Sequence, residues 1–161
     1  CYGKPYLFLM NTRFDDFGSD LVEKYMRRSG FYAILPSMFS FDASNEAYFN
    51  TPKWYNRDRE LFKKYIPIIK KISEAGWEPV TLAKSPSPTV FLERYGKRYI
   101  TVLNYSNEKQ SAKIQINTAK LGLNKSLKAV DLYSGKEISI SDSICSLEIE
   151  PQDTMVLDLA P

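Results

Sequence analysis

Two stretches of the chain gather side chains that could do chemistry. The first, Asn11-Thr-Arg-Phe-Asp-Asp-Phe17, offers an amide, a guanidinium and two carboxylates. Such groups can bind sugar hydroxyls or place a general acid and base. Asp15 and Asp16 equally suit a turn that caps backbone amides near a helix start, because adjacent side chains rarely point into one site. The second stretch, residues 36–50 followed by Thr51-Pro-Lys-Trp-Tyr55, is long for a connection and rich in aromatics. Tyr48, Phe49, Trp54 and Tyr55 could form a platform for a sugar ring, with Asp42, Asn45 and Glu46 supplying hydrogen bonds around it. The competing reading packs these rings under the next helix, with Thr51-Pro52 starting a short helical turn. The candidate substrate-binding residues are therefore Asn11, Asp16, Asp42, Glu46, Tyr48 and Trp54. No residue is assigned a catalytic role.

Composition removes several alternatives. The 161 residues contain no histidine, which excludes Ser-His-Asp and Cys-His nucleophile pairs and every His-based metal site. Cys1 and Cys145 stand in no metal-type spacing and form no disulfide framework. The 22 Lys+Arg against 19 Asp+Glu leave +3, too little to recruit nucleic acid by its field. No phosphate loop, dinucleotide fingerprint or metal-spaced carboxylate cluster is present, so no cofactor and no metal are expected. Asn104-Tyr-Ser106 and Asn124-Lys-Ser126 match the glycosylation acceptor pattern, which is short enough to arise by chance. No stretch approaches the roughly 18 apolar residues of a membrane span. The start, Cys-Tyr-Gly-Lys-Pro-Tyr, has no initiator Met and no signal core, and reads as a mature or excised piece.

The elements that must position these residues change character along the chain. Tyr6-Leu-Phe-Leu-Met10 and Phe31-Tyr-Ala-Ile-Leu35 are continuous apolar runs, as in parallel strands covered on both faces. Between them Ser19 can cap a helix from Asp20 to about Arg28, with Gly30 as its stop, giving a βαβ unit. A second helix from about Arg59 to Ala75 sets Leu61, Phe62, Tyr65, Ile69 and Ile72 on one face and Lys63, Lys64, Lys70, Lys71 and Glu74 on the solvated other. Pro67 should kink it. In a parallel sheet ligands collect at the carboxyl ends of strands, which is where both chemistry-bearing stretches fall.

Beyond Ser85 the period changes to two. Six short, mostly alternating runs begin at Val90, Tyr99, Lys113, Ala129, Cys145 and Met155, punctuated by turn residues at Gly96-Lys97, Ser106-Asn107 and Ser134-Gly135. They predict an antiparallel sandwich. Residues 1–84 hold 17 of the 22 aromatics and 13 basic against 10 acidic side chains, whereas residues 85–161 hold 5 aromatics and 9 against 9. With the stiff Lys84-Ser-Pro-Ser-Pro-Thr89 connector, this contrast suggests two domains, 1–84 and 85–161.

The runs Lys4-Pro-Tyr-Leu-Phe-Leu-Met-Asn11, Leu35-Pro-Ser-Met-Phe39, Arg57-Asp-Arg-Glu-Leu-Phe-Lys-Lys-Tyr-Ile-Pro-Ile-Ile69 and Ala75-Gly-Trp-Glu-Pro-Val80 resemble the C-terminal part of glycoside-hydrolase-like (β/α)8-barrel proteins. Arg98-Tyr-Ile-Thr-Val-Leu-Asn104, Val130-Asp-Leu-Tyr-Ser-Gly-Lys136 and Leu147-Glu-Ile-Glu-Pro-Gln-Asp-Thr-Met-Val-Leu157 are similar to the β-sandwich that follows the barrel in amylase-like glycosidases. The resemblance implies an α/β plus all-β fold class: the last βα units of a TIM-like barrel, then an antiparallel β-sandwich. It implies the C-terminal portion of a secreted or surface glycoside hydrolase acting on oligo- or polysaccharide, with its catalytic carboxylates upstream and the isolated chain inactive. The expected protein partners are the remainder of the parent barrel or another copy of the chain. A non-catalytic carbohydrate-binding or interaction module is the alternative.

Overall fold

In the computed structural model, which describes residues 7–160, Leu7–Thr12 (β1) and Leu35–Ser40 (β2) pair in parallel, with Leu7 opposite Leu35 and Thr12 opposite Ser40. The expected parallel pairing is present, but the second strand begins where the apolar run 31–35 ends, and Tyr6 lies outside the described residues. The cause of the shift is local. The intervening helix, Ser19–Phe31 (α1), keeps Phe31 in its last turn. Ala33 then takes a left-handed φ of 50° and the Ile34 amide returns to the Ser29 carbonyl at 3.0 Å, so the chain extends only from Leu35. Gly30 is not the stop. A Cβ on Gly30 would lie 1.6 Å from the Tyr133 hydroxyl, so this glycine marks a close approach between α1 and the second half of the chain. Nor does Ser19 cap the helix: Gly18 occupies the N-cap, with no side-chain bond to the free amides.

The Thr51-Pro52 turn and the helix expected from Arg59 merge into one 24-residue helix, Pro52–Ala75 (α2), with Pro52 in its first turn. Trp54, Asp58, Tyr65, Ile69 and Ile72 are its buried residues, at helical spacing, while Lys63, Lys64, Lys70, Lys71 and Glu74 are exposed as expected. The helix continues through Pro67, which is itself exposed. The missing donor there frees the Lys63 carbonyl on the solvated side, where water can satisfy it.

The second half is a curled nine-stranded antiparallel sheet whose two faces of strands enclose one core. Its strands are Trp77–Glu78 (β3), Ala83–Lys84 (β4), Val90–Tyr95 (β5), Tyr99–Asn104 (β6), Gln110–Ile116 (β7), Leu127–Asp131 (β8), Glu137–Ser141 (β9), Ile144–Ile149 (β10) and Thr154–Asp158 (β11), in the order β3-β5-β6-β11-β8-β9-β10-β7-β4. All six expected strands are there. Strands β3, β4 and β9 and a four-residue helix, Thr118–Leu121 (α3), are additions that the sequence reading did not contain. β3 pairs with β5 at one edge and β4 with β7 at the other, so the single segment 77–84 spans the open side of the curl. Both edges thereby end in two-residue strands, which offer little template for pairing with another chain.

Alternation fills the interior with Ile100, Val102, Ile114, Ile140, Leu147 and Leu157, among others. Cys145 is a buried free thiol in that core, pushed up to about 11 by burial, and Cys1 lies outside the described residues. A second cluster joins the halves: Val22, Met26, Tyr65, Ile69 and Ile72 of the helices pack against Tyr95, Tyr99, Tyr133 and Val156 on the outer face of the sheet. With cover on both faces, β6 is buried at every position. Arg27 ties α1 to the sheet, donating to the Asp153 carboxylate and to the Thr154 carbonyl, each at 2.9 Å. Among the described residues no helix is long and apolar enough to cross a membrane.

Candidate functional site

The carboxyl ends of β1 and β2 lie side by side, the Phe41 amide donating to the Thr12 carbonyl at 3.0 Å just beyond the last paired residues. The loop after β1 folds down onto the start of α2. Phe14 is fully buried, with ring centroids 4.6 Å from Tyr48 and 5.5 Å from Trp54. Asp15 receives the Trp54 indole N–H on Oδ1 at 2.7 Å and the Lys53 ammonium on Oδ2 at 2.8 Å. The Lys53 hydrogen bond first, then that of Trp54, holds its carboxyl below the usual range. Asp15 therefore fastens its loop to α2, and among the described residues neither it nor Asp16 hydrogen-bonds an α1 amide, which corrects the capping reading.

Beneath this contact Asp58 is fully buried. It accepts from Arg57 Nε at 2.7 Å, Arg57 Nη2 at 2.8 Å and the Tyr48 hydroxyl at 2.9 Å. Arg57 Nη1 continues to the carbonyls of Phe14 at 3.1 Å and Phe17 at 2.7 Å. The charge is thus paired, and the pair is spent on holding the loops after β1 and β2 to α2. Burial, then donation to Asp58, pushes the Tyr48 hydroxyl well above its ordinary range. Arg57 and Asp58 escaped the sequence reading. Asp58 does carry a signal: it sits at a core-facing position between Trp54 and Tyr65, where a carboxylate must find a buried partner.

Tyr48 and Trp54 are 2% and 3% exposed, so neither presents a ring face to solvent. They occupy the packed core below the loops, where the sequence reading placed a stacking platform. The rings that do face solvent there are Phe39, Phe41 and Phe49, and the Arg13 guanidinium lies over Phe41 at 5.4 Å. Asp42 is exposed but occupied by its own turn, accepting from Ser44 Oγ at 2.9 Å and from the Asn45 amide at 3.1 and 3.2 Å. The Asn45 bond first, then Ser44, lowers its pKa. Asn11, Asp16 and Glu46 are exposed on the same end of the strand pair, with no side-chain hydrogen bond among the described residues.

The strand ends therefore offer free hydrogen-bonding groups and exposed rings, while Asp15 and Asp58 are committed to structure. That arrangement can hold a polyhydroxylated ligand. It does not set two free carboxyls against each other for proton transfer. Among the described residues no group of three His, Cys, Asp or Glu could hold a metal ion. A groove of about 900 Å³ opens elsewhere, along β4 and β7, lined by Leu82, Lys84, Asn117, Lys120, Lys125 and Ser143 among others.

The Asn104 acceptor pattern is structural. Asn104 is fully buried and donates to the carbonyls of Glu108, Ile149 and Glu150, while its Oδ1 accepts from the Ser106 amide and hydroxyl. Asn124 is exposed.

Residues 93–159 match the family model of the alpha galactosidase C-terminal beta sandwich domain. No curated protein matches the sequence. Among solved structures, a noncanonic maltogenic alpha-amylase from Thermotoga neapolitana aligns over 96% of this chain and 41% of its own, with TM-score 0.57 and 12% identity. An Anoxybacillus alpha-amylase aligns over 98% and 38%, with TM-score 0.54 and 10% identity. A GH27 β-L-arabinopyranosidase from Geobacillus stearothermophilus, solved with arabinose, aligns over 90% and 31%, with TM-score 0.51 and 14% identity. The chain spans about a third to two fifths of the length of these neighbours. From Glu93 to Leu159 the chain is thus similar to the alpha galactosidase C-terminal β-sandwich, and as a whole it resembles the C-terminal part of glycosidases that carry such a sandwich.

Proposed function

We propose that this chain is the C-terminal portion of a secreted or surface glycoside hydrolase, supplying substrate-binding loops and a structural β-sandwich to a site whose catalytic carboxylates lie upstream. The division is residues 1–84 as closing βα units of a (β/α)8 barrel, of which 77–84 lend the two edge strands of the sheet, and residues 85–161 as the sandwich. The observation that carries this reading is the combination of a glycosidase-type sandwich with a parallel β1–α1–β2–α2 unit packed on its outer face. Two parallel strands cannot close an eight-stranded barrel, so the acid and the nucleophile have to come from other strands.

Asn11, Asp16, Asp42 and Glu46 face the ligand in this reading, beside Phe39 and Phe41. Tyr48 and Trp54 act from behind, holding the loop after β1 on α2. The test is hydrolysis of a panel of aryl-glycosides by the parent protein, compared with this chain alone. Turnover by the parent, its loss on deleting residues 41–47, and none by the chain alone are expected. A parent inactive on every glycoside, or turnover by the isolated chain, sinks the reading.

A further inference from the structure

The outer face of the sheet is covered by α1 and α2 over Tyr95, Tyr99 and Thr101, and the same face continues along β5 and onto β3 past that cover. There a row of large rings stays half open: Trp77 at 47%, Phe91 at 47% and Tyr105 at 56% exposed. Register places all three on one face. Trp77 is opposite Tyr95, Phe91 is opposite Leu103, and Tyr105 continues the β6 pairing through its amide bond to the Thr89 carbonyl at 2.8 Å. From Thr89 to Tyr95 the row runs about 20 Å, at about 3.3 Å per residue.

Two of the rings, Trp77 and Tyr105, have a polar neighbour already fixed in place. Trp77 donates its indole N–H to Glu93 Oε2 at 2.7 Å. Phe91 and Tyr105 meet edge to face at 5.8 Å, and the Arg28 guanidinium lies 5.3 Å from the centre of the Tyr105 ring. Arg28 donates to Gln152 Oε1 at 2.7 Å, and Gln152 donates to the Tyr105 carbonyl at 2.8 Å and to Asn107 at 3.2 Å. Beside them a depression of about 280 Å³ is lined by Lys24, Tyr25, Arg28 and Gln152.

We infer that the Trp77–Phe91–Tyr105 face is a second carbohydrate-binding surface, remote from the strand ends, that takes a neutral oligosaccharide chain along β5. The chemistry separates this occupant from a protein one. Carboxylates are depleted from the core of a protein interface, whereas here the Glu93 carboxylate stands between the rings, and it and the Gln152 amide are held in place by their own hydrogen bonds. Flat apolar rings interleaved with fixed donors and acceptors fit the alternating C–H faces and hydroxyls of a sugar chain. The inference rests on the carbohydrate-active reading above and adds where the chain holds a polymer.

Affinity electrophoresis of the full chain tests it, in gels cast with soluble starch, galactomannan or xylan. Phe91→Ala, Tyr105→Ala and Phe41→Ala are run beside it, with melting temperatures to confirm folding. The expected result is retardation in at least one gel, weakened about tenfold by Phe91→Ala and by Tyr105→Ala, with a larger loss in each of these than in Phe41→Ala, which reads the strand ends. Retardation lost in Phe41→Ala but kept in the other two would overturn the surface while leaving the strand-end reading intact. Absence of retardation in all three gels would also overturn it, the strand-end reading then standing or falling on hydrolysis by the parent. So would a dimer of the chain that only Phe91→Ala and Tyr105→Ala dissociate, because the face would then belong to a second copy.

Discussion

The Tyr95 hydroxyl donates to the Phe31 carbonyl at 2.8 Å, and Thr101 Oγ1 donates to the same oxygen at 2.8 Å. The last residue of α1 has no helical donor for its carbonyl, and two side chains of the sheet supply one across the joint between the halves. Tyr95→Phe should cost about 1 kcal/mol, because Thr101 still satisfies the carbonyl. The double variant Tyr95→Phe/Thr101→Val leaves a buried acceptor without a side-chain donor and should exceed the sum of the singles by about 1 kcal/mol. Urea denaturation of the four proteins measures the coupling, and strict additivity would mean that the two donors do not share this role.

Gly30 is held to glycine by contact with its neighbour. Gly30→Ala should destabilise by about 1–3 kcal/mol through overpacking against Tyr133, even though alanine is the better helix former. Placing Tyr133→Phe in the Gly30→Ala background removes the nearest atom and should restore part of the loss in thermal melts. A Gly30→Ala protein more stable than wild type would show that α1 stands further from the sheet.

Acid should loosen the contact between α1 and α2. The Tyr65 hydroxyl donates to Glu23, and Lys64 pairs with it at 3.0 Å. The Tyr65 bond is the leading cause that holds the Glu23 carboxyl below its ordinary 4.5. A depressed folded pKa means that the unfolded chain binds this proton first as pH falls. The stabilisation is therefore complete above about pH 4.5 and is lost as pH drops through the folded value. Glu23→Gln should flatten that part of the stability–pH curve while leaving the slope above pH 6 unchanged. An acid limb identical in the variant would place the titrating group elsewhere.

Trp54→Ala should lower stability by about 3–5 kcal/mol, the cost of emptying a buried aromatic site, and should free the loop that Asp15 fastens. Trp54→Phe keeps most of the packing but deletes the indole donor, so its smaller loss should match that of Asp15→Asn. Calorimetry reads both effects. A Trp54→Ala protein that melts like wild type but binds oligosaccharide more weakly would return Trp54 to the ligand face.

The patterns that local physics controls were legible in the sequence. Alternation in Tyr99–Asn104 and its five companions, the lysine row of α2 and the parallel pairing on either side of α1 came through, because period and turn chemistry act within a few residues, although the second strand starts only where the apolar run 31–35 ends. The strand-end location of Asn11, Asp16, Asp42 and Glu46 also came through, since it follows from the parallel pairing. What the sequence could not show was which contacts reach across the chain. Gly30 reads as a helix stop until Tyr133 is seen against it, 103 positions away. Trp54 and Tyr48 have the composition of a sugar platform, and only packing on Phe14 and bonds to Asp15 and Asp58 turn them inward. Asn104 reads as a glycan acceptor until its amide is found among the carbonyls of Glu108, Ile149 and Glu150. An aromatic or an amide gains similar free energy from either environment, so its type leaves the choice open. The tertiary neighbours decide it, because they alone determine whether the polar end of the side chain meets a partner or water.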